Sequence, residues 1–379
     1  MQKRRILIVC DGLLKGGLAR VVIDWIQGLT ARGHLVGLAL LGPHIDYPLP
    51  DGLWMRVHGQ RAPSGGVARW RHRRALGAFM SEAVAAFERE HGAADLVIAA
   101  GESALRCAAH VSHPNLWMSS HSSQLQAPKG DGWIARLRFR IKVLRRGARL
   151  KPLLDGKKVH VVSEGLAREL TATLGVRPAR IEVIHNPFDV TALRARAALA
   201  TPESTAQTRE FIVGVGEFNP RKAFDRLITA FAHSRFGGDL VLIGQGPDQP
   251  ALERQARDLG IASRVKFVPF HDNHYALVQR AKLLVMTSRS EGLGNVLIEA
   301  LILGVPAVAL DCPHGPRDIL EPVCADALLA PEVLDQLPAR IDRFVGTPYA
   351  IGETHLARFR AEHVMDRLLN LAGSPDQKL

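Results

Sequence analysis

Cysteine is scarce: the 379 residues include four, Cys10, Cys107, Cys312 and Cys324, all widely separated and none in a C-x-x-C pair. That spacing supports neither a zinc knuckle nor a disulfide framework and suits a reducing compartment. Aromatic residues are few, at 6%, and no apolar run approaches the length of about 18 that a membrane-spanning helix needs. The richest stretch, Asn295 to Leu310, is broken by Glu299, Gly304 and Pro306. The first apolar run, Ile6 to Cys10, stops at Asp11, which is too short for a signal-peptide core, and it reads as a buried first strand. The chain is therefore expected to be soluble or peripheral on a membrane. Acidic residues are in deficit, 37 against 49 basic, and the resulting net charge of +12 favours phosphate-bearing ligands, acidic surfaces or nucleic acid without choosing among them.

What is present is alternation. Short apolar runs at Ile6–Cys10, Leu35–Leu41, Leu96–Ala100 and Val159–Val162 are separated by stretches of helical periodicity such as Ala19 to Ala31. A second series runs through Phe211–Val215, Leu240–Ile243, Val265–Val268, Leu283–Met286 and Val305–Leu310. Such alternation is the signature of βα units on a parallel sheet. Between the series, Ala197 to Thr208 is rich in Ala, Thr, Ser and Pro and suits an exposed linker. The expected fold is α/β, two doubly wound domains over 1–190 and 209–379, facing across a cleft at the carboxyl ends of both sheets. The C-terminal helix is a candidate to pack back on the first domain.

The candidate chemistry lies in loops after strands. Asp11 to Gly17 joins a strand to a helix, and Gly16 and Gly17 either bring backbone N–H groups to an anion or form a plain tight turn. Gly214-x-Gly216 and Gly244-x-Gly246 lack the third glycine of a dinucleotide fingerprint, which disfavours a dehydrogenase. Ser290-Glu-Gly-Leu-Gly-Asn-Val-Leu-Ile-Glu-Ala300 opens an apolar helix, with Glu291 in the loop before it and Glu299 more than one turn inside. Carboxylates so placed can accept hydrogen bonds from sugar hydroxyls beside a helix N-terminus that attracts phosphate. Two glutamates on a helix surface are ordinarily just solvated charges. Here Arg221 and Lys222, in Asn219-Pro-Arg-Lys-Ala-Phe-Asp225, are expected to project into the same cleft.

On these residues the chain resembles the retaining glycosyltransferases of family 4, which have the GT-B fold of two Rossmann-like domains. The elements occur in family order: Gly16-Gly17, Arg32-Gly-His34, Val183-Ile-His-Asn-Pro187, Gly216 to Lys222, Glu291 to Glu299, and Asp311-Cys-Pro-His-Gly-Pro-Arg-Asp318. The resemblance implies that Gly16 and Gly17 touch the donor phosphates, His121 contacts the transferred sugar, and Lys222 neutralises the diphosphate, with Arg221 beside it. It implies further that Glu299 holds the ribose, Glu291 contacts a sugar hydroxyl, and Gly294, Asn295 and Val296 present N–H groups to the distal phosphate. The stretch Phe267, Val268 and Phe270 would line the base pocket. Glu217 departs from the pattern, because many members carry Arg there. No D-x-D triplet occurs, so no metal is expected and no cofactor beyond the donor substrate. The implied activity moves a hexose, most readily from a UDP-sugar, to an envelope glycan or glycolipid such as lipopolysaccharide.

Trp133 to Lys151 reads as a basic amphipathic helix, with Trp133, Ile134, Leu137, Ile141, Leu144 and Ala148 on one face and Arg138, Lys142, Arg145, Arg146 and Arg149 on another. Arg69-Trp-Arg-His-Arg-Arg74 adds a second cationic cluster. The helix either packs its apolar stripe on the sheet or meets an anionic membrane, which would place the protein on the cytoplasmic face. A nucleic-acid binder is the reading from another class, but no helix-turn-helix, RRM or KH signature accompanies the charge. A sugar-nucleotide epimerase on the same fold is a third.

Overall fold

A computed structural model describes residues 2–14, 16–59, 66–123, 125 and 132–373, without the side chains of 66–70 and 73. The cluster around Arg69, Trp70 and Arg73 and the loop residue Lys15 lie outside that description.

The first sheet has seven strands: β1 Arg5–Cys10, β2 Leu35–Leu40, β3 Trp54–Val57, β4 Leu96–Ala100, β5 Leu116–Ser120, β6 Lys158–Val161 and β7 Arg180–Val183, in the order β3-β2-β1-β4-β5-β6-β7. The second has six: β8 Phe211–Val215, β9 Asp239–Ile243, β10 Val265–Val268, β11 Leu283–Met286, β12 Ala307–Leu310 and β13 Leu328–Leu329, in the order β10-β9-β8-β11-β12-β13. All the pairings are parallel. Helices cover both faces, which is why β1, β4, β8, β9, β11 and β12 read as continuous apolar runs and are almost wholly buried. Strand order reverses beside β1 and beside β8. Parallel α/β sheets place their ligand crevice outside the strand ends at such points.

Three features join the two halves. The segment expected as a plain linker contains a short helix, Pro202–Ala206, started by a capping box in which Thr201 and Ser204 satisfy each other's backbone N–H groups. The chain crosses back beside its first crossing, where Phe188 N donates to Phe359 O (2.8 Å) and Ala361 N donates to Phe188 O (2.9 Å). Helix Ala361–Asn370 then packs on helix Gly17–Ala31, with Met365 against Gly28 and Arg32 paired to Asp366 at 2.6 Å. The Arg32-Gly-His34 segment is thus structural, since His34 Nδ1 also accepts from Arg4 N at 3.1 Å.

Candidate active site

A cleft of about 1500 Å³ lies between the carboxyl ends of the two sheets. On one wall, helix Gly17–Ala31 starts at Gly16 with no side-chain cap, so its first N–H groups open on the cleft. On the other, helix Asn295–Ile302 starts at Gly294, whose φ of 95° and ψ of 53° an L side chain would strain, and it too has no side-chain cap. Asn295 Oδ1 instead accepts from Asn186 Nδ2 (2.7 Å), from the His-Asn-Pro segment of the first half.

The turn after β8 is built by Asn219, whose Oδ1 accepts from the backbone N–H of Arg221 and of Lys222, each at 3.1 Å. Thr287 Oγ1 donates to Ala223 O (2.9 Å), holding this turn to the segment after β11. The result is a convergence on Glu291. Its Oε1 accepts from Lys222 Nζ (2.7 Å) and Ser288 Oγ (2.6 Å), and its Oε2 from Arg221 Nη1 (3.1 Å). Glu291 is buried and Lys222 largely so, whereas Arg221 is partly open. Burial by itself raises the Glu291 pKa, but Lys222, Arg221 and the two short hydrogen bonds outweigh it and hold the carboxyl below its usual range. Glu217 sits exposed at the rim and accepts from Asn219 Nδ2 at 2.7 Å, so Arg221 balances Glu291 and not Glu217.

His121 follows β5 and approaches the Glu291 loop so closely that a Cβ on Gly292 would overlap the His121 carbonyl oxygen. Glu299 lines the cleft one turn beyond Val296 and meets His274 Nε2 at 3.3 Å. The His274 ring lies tilted against those of Phe270 (4.9 Å) and Tyr275 (4.2 Å), and Arg196 lies over Tyr275 at 5.0 Å. Lys222, Arg221, Glu291, His121, Gly16, Gly17, Gly294, Asn295, Val296, Glu299 and Phe270 therefore share one cleft. Phe267 and Val268 do not. Phe267 packs edge-on to Phe218 at 5.8 Å, and both Phe267 and Val268 are partly buried against the core, on strand β10 and not in the loop that follows it.

The sequence reading missed Arg20, Arg196, His274 and Tyr275, which line the same cleft. Arg20 had a signal, one turn into the helix that Gly16 and Gly17 open. His274 had one too, in a loop at the carboxyl end of β10. Arg196 belongs to the connecting segment and had none. Asp24, paired to Arg20 at 3.0 Å, is pushed up to about 6, chiefly by burial, with Asp189 and Glu299 adding to the rise against Arg20.

This fold recurs in known structures. A galactosyltransferase of the lipopolysaccharide outer core, WaaB, in its apo form, superposes with a TM-score of 0.69 at 18% identity over 97% of this chain and 98% of that one. HepE of Anabaena, in complex with UDP and glucose, does so with a TM-score of 0.69 at 19% identity over 96% and 98%. The architecture is GT-B. The family model for glycosyltransferase family 4 matches residues 15–192 and that for glycosyl transferases group 1 matches residues 198–354, one over each half. The chain belongs to the family 4 glycosyltransferases. Among curated relatives, the lipopolysaccharide 1,6-galactosyltransferase of Salmonella typhimurium is 27% identical over 189 residues, 48% of this chain and 51% of that protein. The D-inositol 3-phosphate glycosyltransferase of Mycobacterium bovis is 32% identical over 169 residues, 41% and 34%. The match to the Salmonella enzyme thus spans about half of that relative's length.

Proposed function

We propose that this protein is a metal-independent, retaining hexosyltransferase that moves a hexose from a UDP-sugar to a glycan or glycolipid acceptor of the cell envelope, such as lipopolysaccharide, at the cytoplasmic face of the membrane. The observation that carries the reading is the convergence of Lys222 and Arg221 on Glu291, beside the open N-terminus at Gly294–Val296 and facing Gly16, Gly17 and His121. As the sugar–phosphate bond breaks, negative charge grows on the departing diphosphate, and fixed cations and N–H dipoles stabilise that charge more than the ground state. Glu299 supplies acceptor oxygens for ribose hydroxyls. Glu291 has both oxygens engaged by Lys222, Arg221 and Ser288, which makes it a poor nucleophile and favours attack from the leaving-group face over a double displacement. The HepE structure with UDP and glucose and the galactosyltransferase relatives support a UDP-hexose donor. The relatives named are transferases, which leaves the epimerase reading without support.

The test is incubation with a panel of nucleotide sugars in EDTA, with and without lipopolysaccharide core acceptors. We expect UDP-hexose to raise thermal stability, by about 2.7 kcal/mol at a hundred times Kd. Hexose and UDP should be released slowly without acceptor, and transfer should persist in EDTA with the anomeric configuration kept. Formation of an epimer, or activity abolished by EDTA and restored by Mg²⁺, overturns the reading.

A further inference from the structure

Behind His121 lies a chain of hydrogen bonds that the donor site does not itself require. His160, on β6, sits directly opposite Ser119 of β5 in the parallel register and is fully buried. Its Nε2 is 2.9 Å from Ile184 O, its Nδ1 is 2.6 Å from Ser119 Oγ, and Ser119 Oγ is 2.7 Å from His121 Nε2. Trp25 packs against both rings, at 5.4 Å from His121 and 5.7 Å from His160.

The direction of every bond in this chain follows from one atom. A backbone carbonyl only accepts, so His160 Nε2 must carry a hydrogen. Burial holds His160 neutral, pushed down to about 4, against the modest upward pull of its bond to Ile184. A neutral imidazole with its hydrogen on Nε2 has a bare Nδ1, which accepts from the Ser119 hydroxyl. Ser119 has spent its single hydrogen, so its oxygen accepts from His121, and the His121 hydrogen lies on Nε2. Burial also pushes the His121 pKa well down, with His160 adding to the effect, so the ring is neutral and its Nδ1 is a bare lone pair. That nitrogen has no protein partner among the described residues. It is also not sealed from solvent, unlike Nδ1 of His274 and of His314. His121 lines the cleft.

We propose that Ile184 O, His160 and Ser119 set the tautomer of His121, so that it offers the donor sugar a hydrogen-bond acceptor and selects a sugar bearing a hydroxyl, not a carboxylate, at that point. Ser119 and His160 are thus positioning residues, and only His121 touches the sugar. A hydroxyl donates to the bare Nδ1. A carboxylate brings lone pairs against a lone pair and finds no hydrogen there, and a buried mismatch of that kind discriminates far better than shape alone. The inference rests on the transferase reading for the identity of the ligand, but the tautomer itself does not.

The test has two arms. In ¹⁵N-histidine-labelled protein, with His121 assigned by comparison with His121→Gln, long-range proton–nitrogen correlation should show the hydrogen on His121 Nε2. Ser119→Ala, which removes the link without adding bulk, should shift His121 toward a mixture of tautomers, and His160→Leu should do the same. His160→Gln, whose amide can donate to Ile184 O and accept from Ser119, should restore the wild-type spectrum. In the second arm, kcat/KM is measured for UDP-glucose and UDP-galactose beside UDP-glucuronic and UDP-galacturonic acid. Ser119→Ala should narrow the preference for hexose over hexuronate by about tenfold while UDP affinity stays within about twofold, and His160→Gln should keep the preference. A wild-type hydrogen on Nδ1, a spectrum untouched by Ser119→Ala, or an unchanged preference in a variant whose tautomer has moved overturns the proposal. A wild-type protein that turns over none of these donors overturns the transferase reading, and the nitrogen spectra still decide the tautomer.

Discussion

Glu291 illustrates how one residue balances the site. It is a buried anion facing two cations, and a donor diphosphate arriving nearby competes with it for the same charges. Glu291→Ala should therefore leave UDP binding intact or tighter while depressing transfer, because Lys222 and Arg221 are released but the proposed sugar contact is lost. Glu299→Ala should weaken UDP itself by roughly 1.5 to 3 kcal/mol, the loss of a charged acceptor for ribose hydroxyls. Lys222→Ala should lower turnover more than UDP affinity, since its charge counts most as the diphosphate departs. Calorimetry with UDP beside steady-state kinetics separates the three, and equal losses of UDP affinity in Glu291→Ala and Glu299→Ala would contradict the roles. Acid titration gives a second residue-scale prediction with two opposite signs. Glu291 titrates below its usual 4.5 when folded, so it stabilises the fold above that pH and the contribution is lost as pH falls through the depressed value. Asp24 titrates at about 6 when folded against 3.8 in the free side chain, so the folded state binds the extra proton. It costs stability above pH 6 and that cost vanishes toward pH 4. Asp24→Asn should accordingly raise Tm at pH 7 and lose its advantage at pH 4, whereas Glu291→Gln should lower Tm at pH 7 and converge on the wild type in acid. Melting curves at both pH values check the signs.

Among the elements, helix Trp133–Leu154 is the one whose sequence left two partners open for its apolar stripe, the sheet or an anionic membrane. That stripe does not pack on the protein: Trp133 keeps 74% and Leu144 72% of their accessible surface, with Ile134, Leu137 and Ile141 also open. The buried face is formed instead by Phe139, Val143, Gly147, Leu150 and Leu154, and a Cβ on Gly147 would lie 2.7 Å from Leu174 O. The helix carries two apolar stripes. Periodicity alone cannot rank them, and the small residue that permits close backbone approach was the overlooked signal. Beside the open stripe, Arg138, Lys142, Arg145 and Arg149 form no ion pair among the described residues, and they line a shallow groove with Arg146 and Ile141. An apolar row flanked by uncompensated cations matches an anionic bilayer surface, which supports peripheral attachment. Arg146 and Arg149 also line the cleft, so the clean probe is the other three. Replacing Arg138, Lys142 and Arg145 with Glu should weaken binding to phosphatidylglycerol vesicles on the order of a hundredfold, at about 1 kcal/mol per basic residue. UDP affinity should not move, and vesicle binding that survives would place the contact elsewhere. The same contrast runs through the whole fold. Strands buried on both faces were legible as unbroken apolar runs, while the edge strands β3, β7 and β13, short or exposed, carried no such pattern. Loop motifs marked Lys222, Glu291 and Glu299, but the packing of Phe267 on Phe218 and the approach of Arg196 to Tyr275 depend on tertiary placement, which no local spacing records.

At the scale of the molecule, both halves of the site must meet. They do so in part through a patch that begins beside the Glu291 loop: Ser163 Oγ donates to Gly292 O (2.7 Å), Glu164 N to Asp318 Oδ2 (2.6 Å), and His314 Nε2 pairs with Glu169 Oε2 (2.8 Å), both side chains being buried. His314 is held at φ 107°, a strained conformation for any residue with a Cβ, so this contact is maintained against a backbone cost. Among the described residues the chain passes between the halves side by side at Phe188 and Arg360, which leaves the opposite side free to part when the patch is broken. Gly165 provides the wedge. A Cβ there would lie 2.6 Å from His314 Cα and 3.2 Å from its N, and backbone on the facing loop cannot step aside as a flexible side chain can. Gly165→Ala should therefore separate the halves without touching a donor group. UDP affinity should change by no more than a fewfold, because Lys222, Glu299 and the Gly294 helix terminus all belong to one half. Turnover should fall at least about tenfold, because His121 no longer meets the Glu291 loop and misplacement by an ångström is enough to lose that much. Small-angle scattering on the UDP-bound protein should show a larger radius of gyration than the wild type. A Gly165→Ala protein with wild-type scattering and wild-type kcat would mean that the facing loops yield locally and that closure does not depend on this patch.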